Sequence, residues 1–234
     1  MKIPDLSVVI PFYDEEKTVE PLTKVLVNEF KKNNINYELI LINNGSSDKT
    51  SEIVDNLAKK FKSIKAVHVK VNKGYGWGIL NGLKIAKGEY VGYMDGDLEI
   101  KPDGILNLYK KVKKTSADVG KGIRDRAESD FFKTIASRGY DLLFFFLFFK
   151  FIKQVNANPK IMKRDCYKKM NLNSKEWFID SEIIIKALKN NYKVVNEIVS
   201  YTPRRAGESH INFFDLFPII IKYIKNTIKY RFER

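Results

Sequence analysis

The segment "EYVGYMDGDLEIKPD" at residues 89–103 joins an apolar run directly to a group of acidic side chains. Residues 89–95 have the length and composition of a buried β-strand, and the pattern over residues 102–115 predicts a helix. Three acidic residues fall in the turn between them: Asp95, Asp97 and Glu99. Such a turn is either a solvated loop or a site that holds a cation, and the segment alone is compatible with both.

The same succession of strand and helix occurs three times before this segment. Apolar runs of strand length lie at residues 6–12, 37–43 and 64–70. Segments with a helical pattern follow them at residues 15–33, 48–62 and 76–87. Runs of Val, Ile and Leu without alternation predict strands that are buried on both faces, and strand–helix alternation predicts right-handed βαβ units. The sequence therefore predicts an α/β fold with a mainly parallel central sheet flanked by helices.

Polar or glycine-rich turns follow all four predicted strands. Ligands of open parallel sheets bind at the carboxyl ends of the strands, so these turns are expected to share one site. The turns are residues 12–14, 43–45, 72–74 and 95–97. Carboxylate oxygens suit Mg²⁺ or Mn²⁺ shared with substrate phosphates, and Gly96 allows a ligand to approach the backbone. Together the turns favour a cation site and a phosphorylated substrate.

The composition excludes several classes of protein. The 234 residues fit one large α/β domain with or without a short appendage, and no window reaches the roughly 18–20 uncharged apolar residues of a membrane span. Cys166 is the single cysteine, which excludes an internal disulfide and a cysteine zinc site, and two histidines are too few for a histidine-rich metal site. We expect an intracellular protein. Its net charge of +14 calls for nucleic acid, an anionic membrane surface or a phosphorylated small molecule as partner.

Two segments combine apolar and basic residues in a way that is typical of membrane-surface helices. "DLLFFFLFFKFIK" at residues 141–153 carries aromatic residues on every helical face. In residues 213–234, an isoleucine stripe lies apart from the lysines. The stripe consists of Ile220, Ile224 and Ile228. Each segment alone is equally compatible with a helix that packs on the domain, but their joint occurrence favours the membrane surface.

Eight pieces of the sequence, spread over almost the whole chain, resemble glycosyltransferase family 2 in the order that the family has them. They are "SVVIPFYDEE" (7–16), "LINNGSSDKT" (41–50), "NKGYGWGILNGLKIAKGEYVGYMDGDLEIKPD" (72–103), "VGKGIRDR" (119–126), "SRGYDLLF" (137–144), "NANPKIMKRD" (156–165), "WFIDSEIIIKA" (177–187) and "PRRAGESH" (203–210). Within the family, the chain is most similar to the polyprenyl-phosphate sugar synthases typified by dolichol-phosphate mannose synthase. The resemblance implies the GT-A, Rossmann-like fold with C-terminal amphipathic interface helices.

The resemblance also implies a donor site. The residues expected to bind the nucleotide sugar are Pro11, Tyr13, Glu15, Asn44, Gly74, Asp95, Gly96 and Asp97. Asn44 stands where the family usually has an aspartate that contacts the base, so the identity of the base stays open. Asp95 and Asp97 match the DxD metal motif, and Glu99 can join them in holding Mg²⁺ or Mn²⁺.

A second set of residues is implied in catalysis and in binding the acceptor. Arg124 and Arg138 match arginines that bind the acceptor phosphate or the donor diphosphate, and Arg204 and Ser209 match the R-x-x-G-x-S element. Ser209 is expected at the acceptor phosphate with the two arginines. The acidic segment of the family, where some relatives carry a base, corresponds here to Asp180 and Glu182. The expected catalytic residues are Asp97, Arg124, Arg138, Asp180, Glu182 and Arg204.

The resemblance implies an inverting, metal-dependent transfer from a nucleotide-diphosphate sugar to a membrane polyprenyl phosphate. The apolar and basic segments favour this lipid acceptor, with residues 1–210 as the catalytic domain and residues 211–234 as a basic amphipathic helix at the membrane interface. We expect a monotopic enzyme on the cytoplasmic face of the membrane, with a separate membrane protein as a possible partner.

Three other functions are alternatives for this sequence. A family 2 enzyme that glycosylates a hydroxyl of a surface glycan or glycolipid would keep the same donor site, and Asp180 or Glu182 would then act as base. A sugar-1-phosphate nucleotidyltransferase would need a basic, glycine-rich loop after the first strand, where this chain has the acidic "PFYDEEKT". A nucleic-acid-binding module would need a continuous basic stripe interleaved with aromatics, whereas the phenylalanines form one block.

Overall fold

The computed structural model describes residues 2–125, 131–202 and 213–233, of which 131–133, 136 and 213–217 are described by their backbone alone. The strands within these residues are β1 (Leu6–Phe12), β2 (Tyr37–Asn43), β3 (Ile64–His68), β4 (Tyr90–Tyr93), β5 (Val119–Asp125), β6 (Lys160–Lys163) and β7 (Val194–Ser200). The helices are α1 (Val19–Lys32), α2 (Thr50–Lys60), α3 (Tyr75–Ile85), α4 (Asp103–Thr115), α5 (Phe131–Phe148), α6 (Arg164–Met170), α7 (Ile179–Lys189) and α8 (Phe213–Phe232).

These strands form one sheet in the order β3-β2-β1-β4-β6-β5-β7. The pairs of β1 with β2, β1 with β4, β2 with β3 and β5 with β7 are parallel, whereas β6 pairs antiparallel with both β4 and β5. The prediction of an α/β fold with a mainly parallel sheet is confirmed. Because β6 runs in the opposite direction, its first residues lie at the edge of the sheet where β4 and β5 end.

The central strands are buried on both faces, which explains why their sequences show continuous apolar runs instead of alternation. In β2, Leu39 and Leu41 belong to the core cluster that contains α1, α2 and α4 residues. Ile40 and Ile42 of the same strand belong to the cluster formed with residues of α3, α5 and α7. The sheet therefore lies between two helical layers.

Helices α5 and α8 pack together on the second layer, next to α7. The hydroxyl of Tyr140 donates to Ser181 Oγ at 2.8 Å and lies 2.8 Å from Thr227 Oγ1. Arg231 Nε donates to the carbonyl of Leu147 at 2.7 Å. The predicted helical segment at residues 141–153 is shorter in the structure, because α5 ends at Phe148. No helix in residues 2–125, 131–202 or 213–233 is long and apolar enough to cross a membrane.

Candidate active site

A cavity of about 440 Å³, here called the rim cavity, lies at the carboxyl edge of the sheet. The structure brings all eight residues predicted to bind the nucleotide sugar to this one cavity: Pro11, Tyr13, Glu15, Asn44, Gly74, Asp95, Gly96 and Asp97. Glu99 and Arg124 line it as well. The residues come from the ends of different strands, so their convergence follows from the parallel topology.

The turns that follow β1 and β2 are bound to each other by hydrogen bonds. Ser46 Oγ accepts the backbone N–H of Asp14 at 3.1 Å, and Asp14 Oδ1 accepts the backbone N–H of Ser47 at 2.7 Å. One residue further on, Thr50 Oγ1 accepts the backbone N–H of Glu15 at 3.0 Å. These bonds hold the two turns together as one wall of the rim cavity.

Asp95 is the most extensively hydrogen-bonded acidic residue of this cavity among the contacts described. Its two carboxylate oxygens lie 3.1 and 3.0 Å from Nδ2 of Asn158, which donates to them, and the hydroxyl of Tyr75 donates to Oδ1. The guanidinium of Arg124 lies 3.5 Å from Oδ2. Burial lowers the pKa of Arg124, but the nearby carboxylates of Asp95, Glu99 and Asp97 outweigh it and raise that pKa, so the guanidinium stays charged.

The carboxylates of the rim cavity fit a divalent cation that is held jointly with a substrate. Asp97 Oδ1 accepts the backbone N–H of Glu99 at 3.0 Å, which fixes the turn that carries both side chains. Within the described ranges, no group of three or more His, Cys, Asp or Glu side chains is arranged to hold a metal ion. Asp95, Asp97 and Glu99 therefore do not form a complete three-carboxylate site. Mg²⁺ usually takes one or two carboxylates together with substrate phosphate oxygens and water, which is the donor set available here.

The amide of Asn44, which lines the rim cavity, is held by two hydrogen bonds. Its Nδ2 donates to Asn72 Oδ1 at 3.3 Å and to the carbonyl of Gly74 at 3.2 Å, which fixes the orientation of the amide. Its Oδ1 is buried and has no hydrogen-bond partner in the described part of the chain. A buried acceptor without a partner is unfavourable.

A second cavity, of about 680 Å³, lies between α5, α8 and the segment before β6 and is here called the apolar cavity. Most of its wall is apolar or aromatic: Ile135, Tyr140, Leu143, Ile219, Ile220, Tyr223 and Ile224. Its polar part includes Asn158 and Asp180. Arg124 and Trp177 line both cavities, so the two meet beside the guanidinium that contacts Asp95.

Asp180 is held in a buried polar network beside the apolar cavity. Tyr93 donates its hydroxyl hydrogen to Asp180 Oδ1 at 2.6 Å, and Lys160 Nζ donates to the same oxygen at 2.7 Å. Burial raises the pKa of Asp180, while the ammonium of Lys160 opposes that rise. The carboxylate is thus positioned by strands β4 and β6, which supply its two partners.

Two other predicted residues, Glu182 and Arg138, line neither cavity. Glu182 is fully buried, where its carboxylate accepts the backbone N–H groups of Asn173 and Ser174 and pairs with Lys186 at 2.7 Å. Arg138 is exposed on α5 and lines neither cavity. Arg204 and Ser209 lie outside the described residues.

Residues 7–181 match the family model described as glycosyl transferase family 2. The chain belongs to this family. The family predicted from the sequence motifs is confirmed, and the protein is a family 2 glycosyltransferase.

Relatives of this glycosyltransferase cover most of its length. An uncharacterised protein of Methanocaldococcus jannaschii is 29% identical over 229 residues, which are 93% of this chain and 96% of that protein. A dolichyl-phosphate β-glucosyltransferase of Trichomonas vaginalis is 29% identical over 203 residues, or 81% of this chain, and the match spans 63% of that longer protein.

A solved structure shares the fold of this glycosyltransferase. Glucosyl-3-phosphoglycerate synthase from Mycobacterium tuberculosis, in complex with Mn²⁺, UDP and glucosyl-3-phosphoglycerate, superposes with a TM-score of 0.73 at 15% sequence identity. The match covers 97% of this chain and 80% of that one. The predicted GT-A fold is confirmed by this likeness.

Several residues at the two cavities were not assigned a role from the sequence of this glycosyltransferase. They are Tyr75, Gln154, Asn158, Lys160 and Trp177. Asn158 and Lys160 reach the site because β6 runs antiparallel, so that its first residues lie beside the last residues of β4 and β5. A strand direction is a property of the sheet, which no local pattern reveals. For Asn158, Lys160 and Trp177, the sequence signal was the inclusion of "NANPKIMKRD" and "WFIDSEIIIKA" among the pieces that resemble the family.

Gln154 connects the catalytic edge of the sheet to the end of α5. Its side-chain amide forms a pair of hydrogen bonds with the backbone of Arg124, accepting from its N–H and donating to its carbonyl, each at 3.0 Å. The backbone N–H of Gln154 donates to Asp141 Oδ2 at 2.7 Å. The position of Arg124 thus depends on a segment that begins immediately after the aromatic end of α5.

The aromatic block at the end of α5 is divided between core and surface. Phe144 is fully buried, whereas Phe146 is 64% exposed, Phe149 75% and Phe151 73%. On α8, Ile228 and Phe232 are also exposed, at 42% and 73%. These exposed side chains lie on α5, the segment after it and α8, and helices α5 and α8 are in contact.

Proposed function

We propose that this glycosyltransferase moves a hexose, with inversion, from a nucleotide-diphosphate sugar to a membrane polyprenyl phosphate, using a divalent cation. The single observation that carries the proposal is the meeting of two unlike cavities at Arg124. A carboxylate-bearing rim cavity suits a nucleotide diphosphate with its cation. The adjoining apolar cavity, walled by α5 and α8, suits a prenyl chain whose phosphate points towards the guanidinium.

We infer that UDP-glucose is the first donor to test. The Trichomonas vaginalis relative is a dolichyl-phosphate β-glucosyltransferase, and the Mycobacterium tuberculosis neighbour was solved with UDP and Mn²⁺. Asn44 lines the rim cavity at the position where we propose that the base of the nucleotide is contacted. In this proposal Pro11, Tyr13, Glu15 and Gly74 surround the nucleoside.

In the proposed reaction, an oxygen of the acceptor phosphate forms a bond to the anomeric carbon. The bond from that carbon to the donor diphosphate breaks, and the nucleoside diphosphate leaves with the bonding electron pair. A cation held through Asp95, Asp97 and the diphosphate would supply Lewis-acid stabilisation of the leaving group, with Glu99 beside it. Arg124 adds a fixed positive charge between the two phosphates. No proton has to be removed, because the acceptor oxygen is already anionic near pH 7.

The remaining predicted residues take different places in this proposal. Asp180 orients the wall of the apolar cavity through Lys160 and Tyr93, and it would serve as base only for a hydroxyl acceptor. Glu182 stabilises the loop before α7 instead of contacting substrate. Arg138 and Ser209 stay predictions for binding the acceptor phosphate, and Arg204 stays a predicted catalytic residue.

We further propose that the exposed aromatics of α5 and its following loop, with α8, rest on a membrane surface. Lysines near these aromatics are exposed and can meet anionic headgroups: Lys150, Lys153, Lys225 and Lys229. This placement would bring the mouth of the apolar cavity to the level of the lipid phosphate. A peripheral enzyme on the cytoplasmic face fits this arrangement, with or without a separate membrane-protein partner.

An incorporation assay tests the proposed reaction. The protein is incubated with Mn²⁺, radiolabelled UDP-glucose or a control nucleotide sugar, and either undecaprenyl or dolichyl phosphate in mixed micelles. We expect label in an organic-phase product that mild acid releases, as an anomeric phosphodiester does. Glycans and glycolipids with free hydroxyls are supplied as competitors. Label found only in water-soluble products, or only in lipid products that resist mild acid, would contradict the lipid-phosphate acceptor and favour the hydroxyl alternative.

A further inference from the structure

Trp177 lies where three cavities of the described residues meet. It lines the rim cavity, the apolar cavity and a third cavity of about 260 Å³ between the loop before α7 and α8. Arg124 is shared by the first two cavities, so the indole and the guanidinium together frame the place where donor and acceptor must meet.

The indole of Trp177 is fixed on one face and open elsewhere. Its ring stacks on Tyr75 with 4.5 Å between ring centroids and 13° between planes, yet the residue remains 44% exposed. Tyr75 is itself anchored, because its hydroxyl donates to Asp95 and accepts from Asn158 Nδ2 at 2.9 Å. One face of the indole is therefore covered by a ring that is bound to the predicted diphosphate-binding carboxylate.

The loop that carries Trp177 is clamped onto the first turn of α3. The backbone N–H of Trp77 donates to the carbonyl of Lys175 at 2.8 Å. A Cβ at Gly76 would lie 2.4 Å from the carbonyl oxygen of Ser174, so only glycine permits this approach. The close packing of the loop backbone on α3 therefore fixes the position of the Trp177 indole, although the side chain itself is partly exposed.

We propose that Trp177 is the platform on which the transferred sugar ring lies. The C–H groups on one face of a hexose carry partial positive charge and suit the negative face of an indole, as edge-to-face aromatic contacts do. A flat wall beside the diphosphate site would hold the ring with its anomeric carbon turned towards the apolar cavity. This inference rests on the proposed function for the identity of the donor, and it assigns to Trp177 the binding of the hexose, as distinct from the nucleotide.

Trp77 provides a matched control within the same chain. Its ring lies between the ammonium groups of Lys73 and Lys175, at 5.5 and 5.2 Å from the ring centroid. It lines none of the three cavities as the described residues form them. W77A removes an indole of the same size from the same corner of the molecule, while the backbone N–H that donates to Lys175 and the lining of the three cavities remain.

The test compares the dissociation constants of UDP-glucose and UDP, each with Mn²⁺, by isothermal titration calorimetry. We expect W177A to weaken UDP-glucose binding about tenfold, corresponding to roughly 1.4 kcal/mol, while UDP binding changes less than about twofold. W177F keeps an aromatic face and should lose only about two- to threefold for UDP-glucose. W77A should leave both constants within about twofold of the wild type.

The UDP measurement also reports whether each variant is folded, because UDP binding needs an intact rim cavity. Equal weakening of UDP and UDP-glucose in W177A, or no weakening of either, would overturn the sugar platform. The proposal would also be overturned if the wild type bound UDP and UDP-glucose with equal dissociation constants and W177A left both constants unchanged. These outcomes differ from failure of the proposed function, in which UDP-glucose binds through Trp177 but no glucose reaches a polyprenyl phosphate.

Discussion

The rim cavity and the apolar cavity differ in how the chain builds them. The rim cavity is formed by short turns that follow parallel strands, and its side chains are carboxylates, amides and glycines held by hydrogen bonds. The apolar cavity is formed by the sides of two helices that are far apart in the sequence. The first suits a fixed polar ligand, and the second suits a flexible chain. Under the proposed function, donor and acceptor would be bound by separate parts of the molecule that meet at Arg124 and Trp177.

The largest expected effect belongs to the rim cavity. D97A removes a carboxylate from the proposed cation and diphosphate site, so we expect kcat to fall about 10²–10³-fold, as for other losses of transition-state stabilisation. The thermal midpoint should shift little, because Asp97 is only partly buried. Initial rates with UDP-glucose and circular dichroism melts measure the two quantities.

D55A is the matched control for this variant. Asp55 is an exposed carboxylate on α2 that pairs with His68, away from both cavities. A D97A protein that keeps wild-type activity would contradict the assignment of the rim cavity to the donor diphosphate.

A smaller effect is expected where the two cavities meet. Q154A removes the paired hydrogen bonds that hold the backbone of Arg124, while the guanidinium itself remains. We expect kcat to fall at least about tenfold, because a misplaced catalytic charge stabilises the transition state poorly. Binding of UDP should change little, which separates this positioning role from general unfolding. N190A, which alters an exposed amide at the end of α7, should keep full activity, and an unchanged kcat in Q154A would remove Gln154 from this role.

Substitution of the exposed aromatics that follow α5 should affect membrane binding alone. The double variant F149S/F151S removes two aromatics that are 75% and 73% exposed. Partitioning into liposomes with anionic lipid should weaken about tenfold, because the aromatic surface that would leave water is lost. Calorimetric binding of UDP-glucose should stay unchanged.

V25S alters an exposed valine on α1, on the opposite helical layer, and should leave partitioning unchanged. If the double variant binds liposomes as the wild type does, the membrane surface lies elsewhere on the molecule.

The last variant concerns a buried lysine that lines neither cavity, and its expected effect is on stability alone. Burial lowers the pKa of Lys121 to about 7, although its Nζ donates to the carbonyls of Gly122 and Lys153. The unfolded chain holds this proton up to a pKa of about 10.4, so between pH 7 and 10 the unfolded state binds more protons and stability rises with pH.

Relative to K121M, the wild type should therefore gain stability across that pH range, with a slope of at most about 1.4 kcal/mol per pH unit. Urea unfolding of both proteins at several pH values measures the difference. If the free energies of unfolding of the two proteins change in parallel from pH 7 to 10, Lys121 has an ordinary pKa in the folded state.

The sequence predicted the rim cavity far better than the apolar cavity. Each rim residue follows a strand whose apolar run is visible locally, and parallel topology then brings the turns together. Asn158 and Trp177 could not be assigned in this way, because the first depends on the reversed direction of β6 and the second on a loop packed against α3. Asp180 and Glu182 lie two residues apart and looked equivalent, but helix α7 turns Asp180 to the apolar cavity and Glu182 into the core.

The most direct test of the division between donor and acceptor uses Gly139. This residue lines the apolar cavity, and a Cβ built there meets no other atom within 4 Å, so G139F can place a ring in the cavity without distorting α5. We predict that kcat/KM for undecaprenyl phosphate falls at least about tenfold, while the dissociation constant of UDP-glucose stays within about twofold of the wild type. An unchanged kcat/KM for the lipid phosphate, or an equal loss of UDP-glucose binding, would contradict the account.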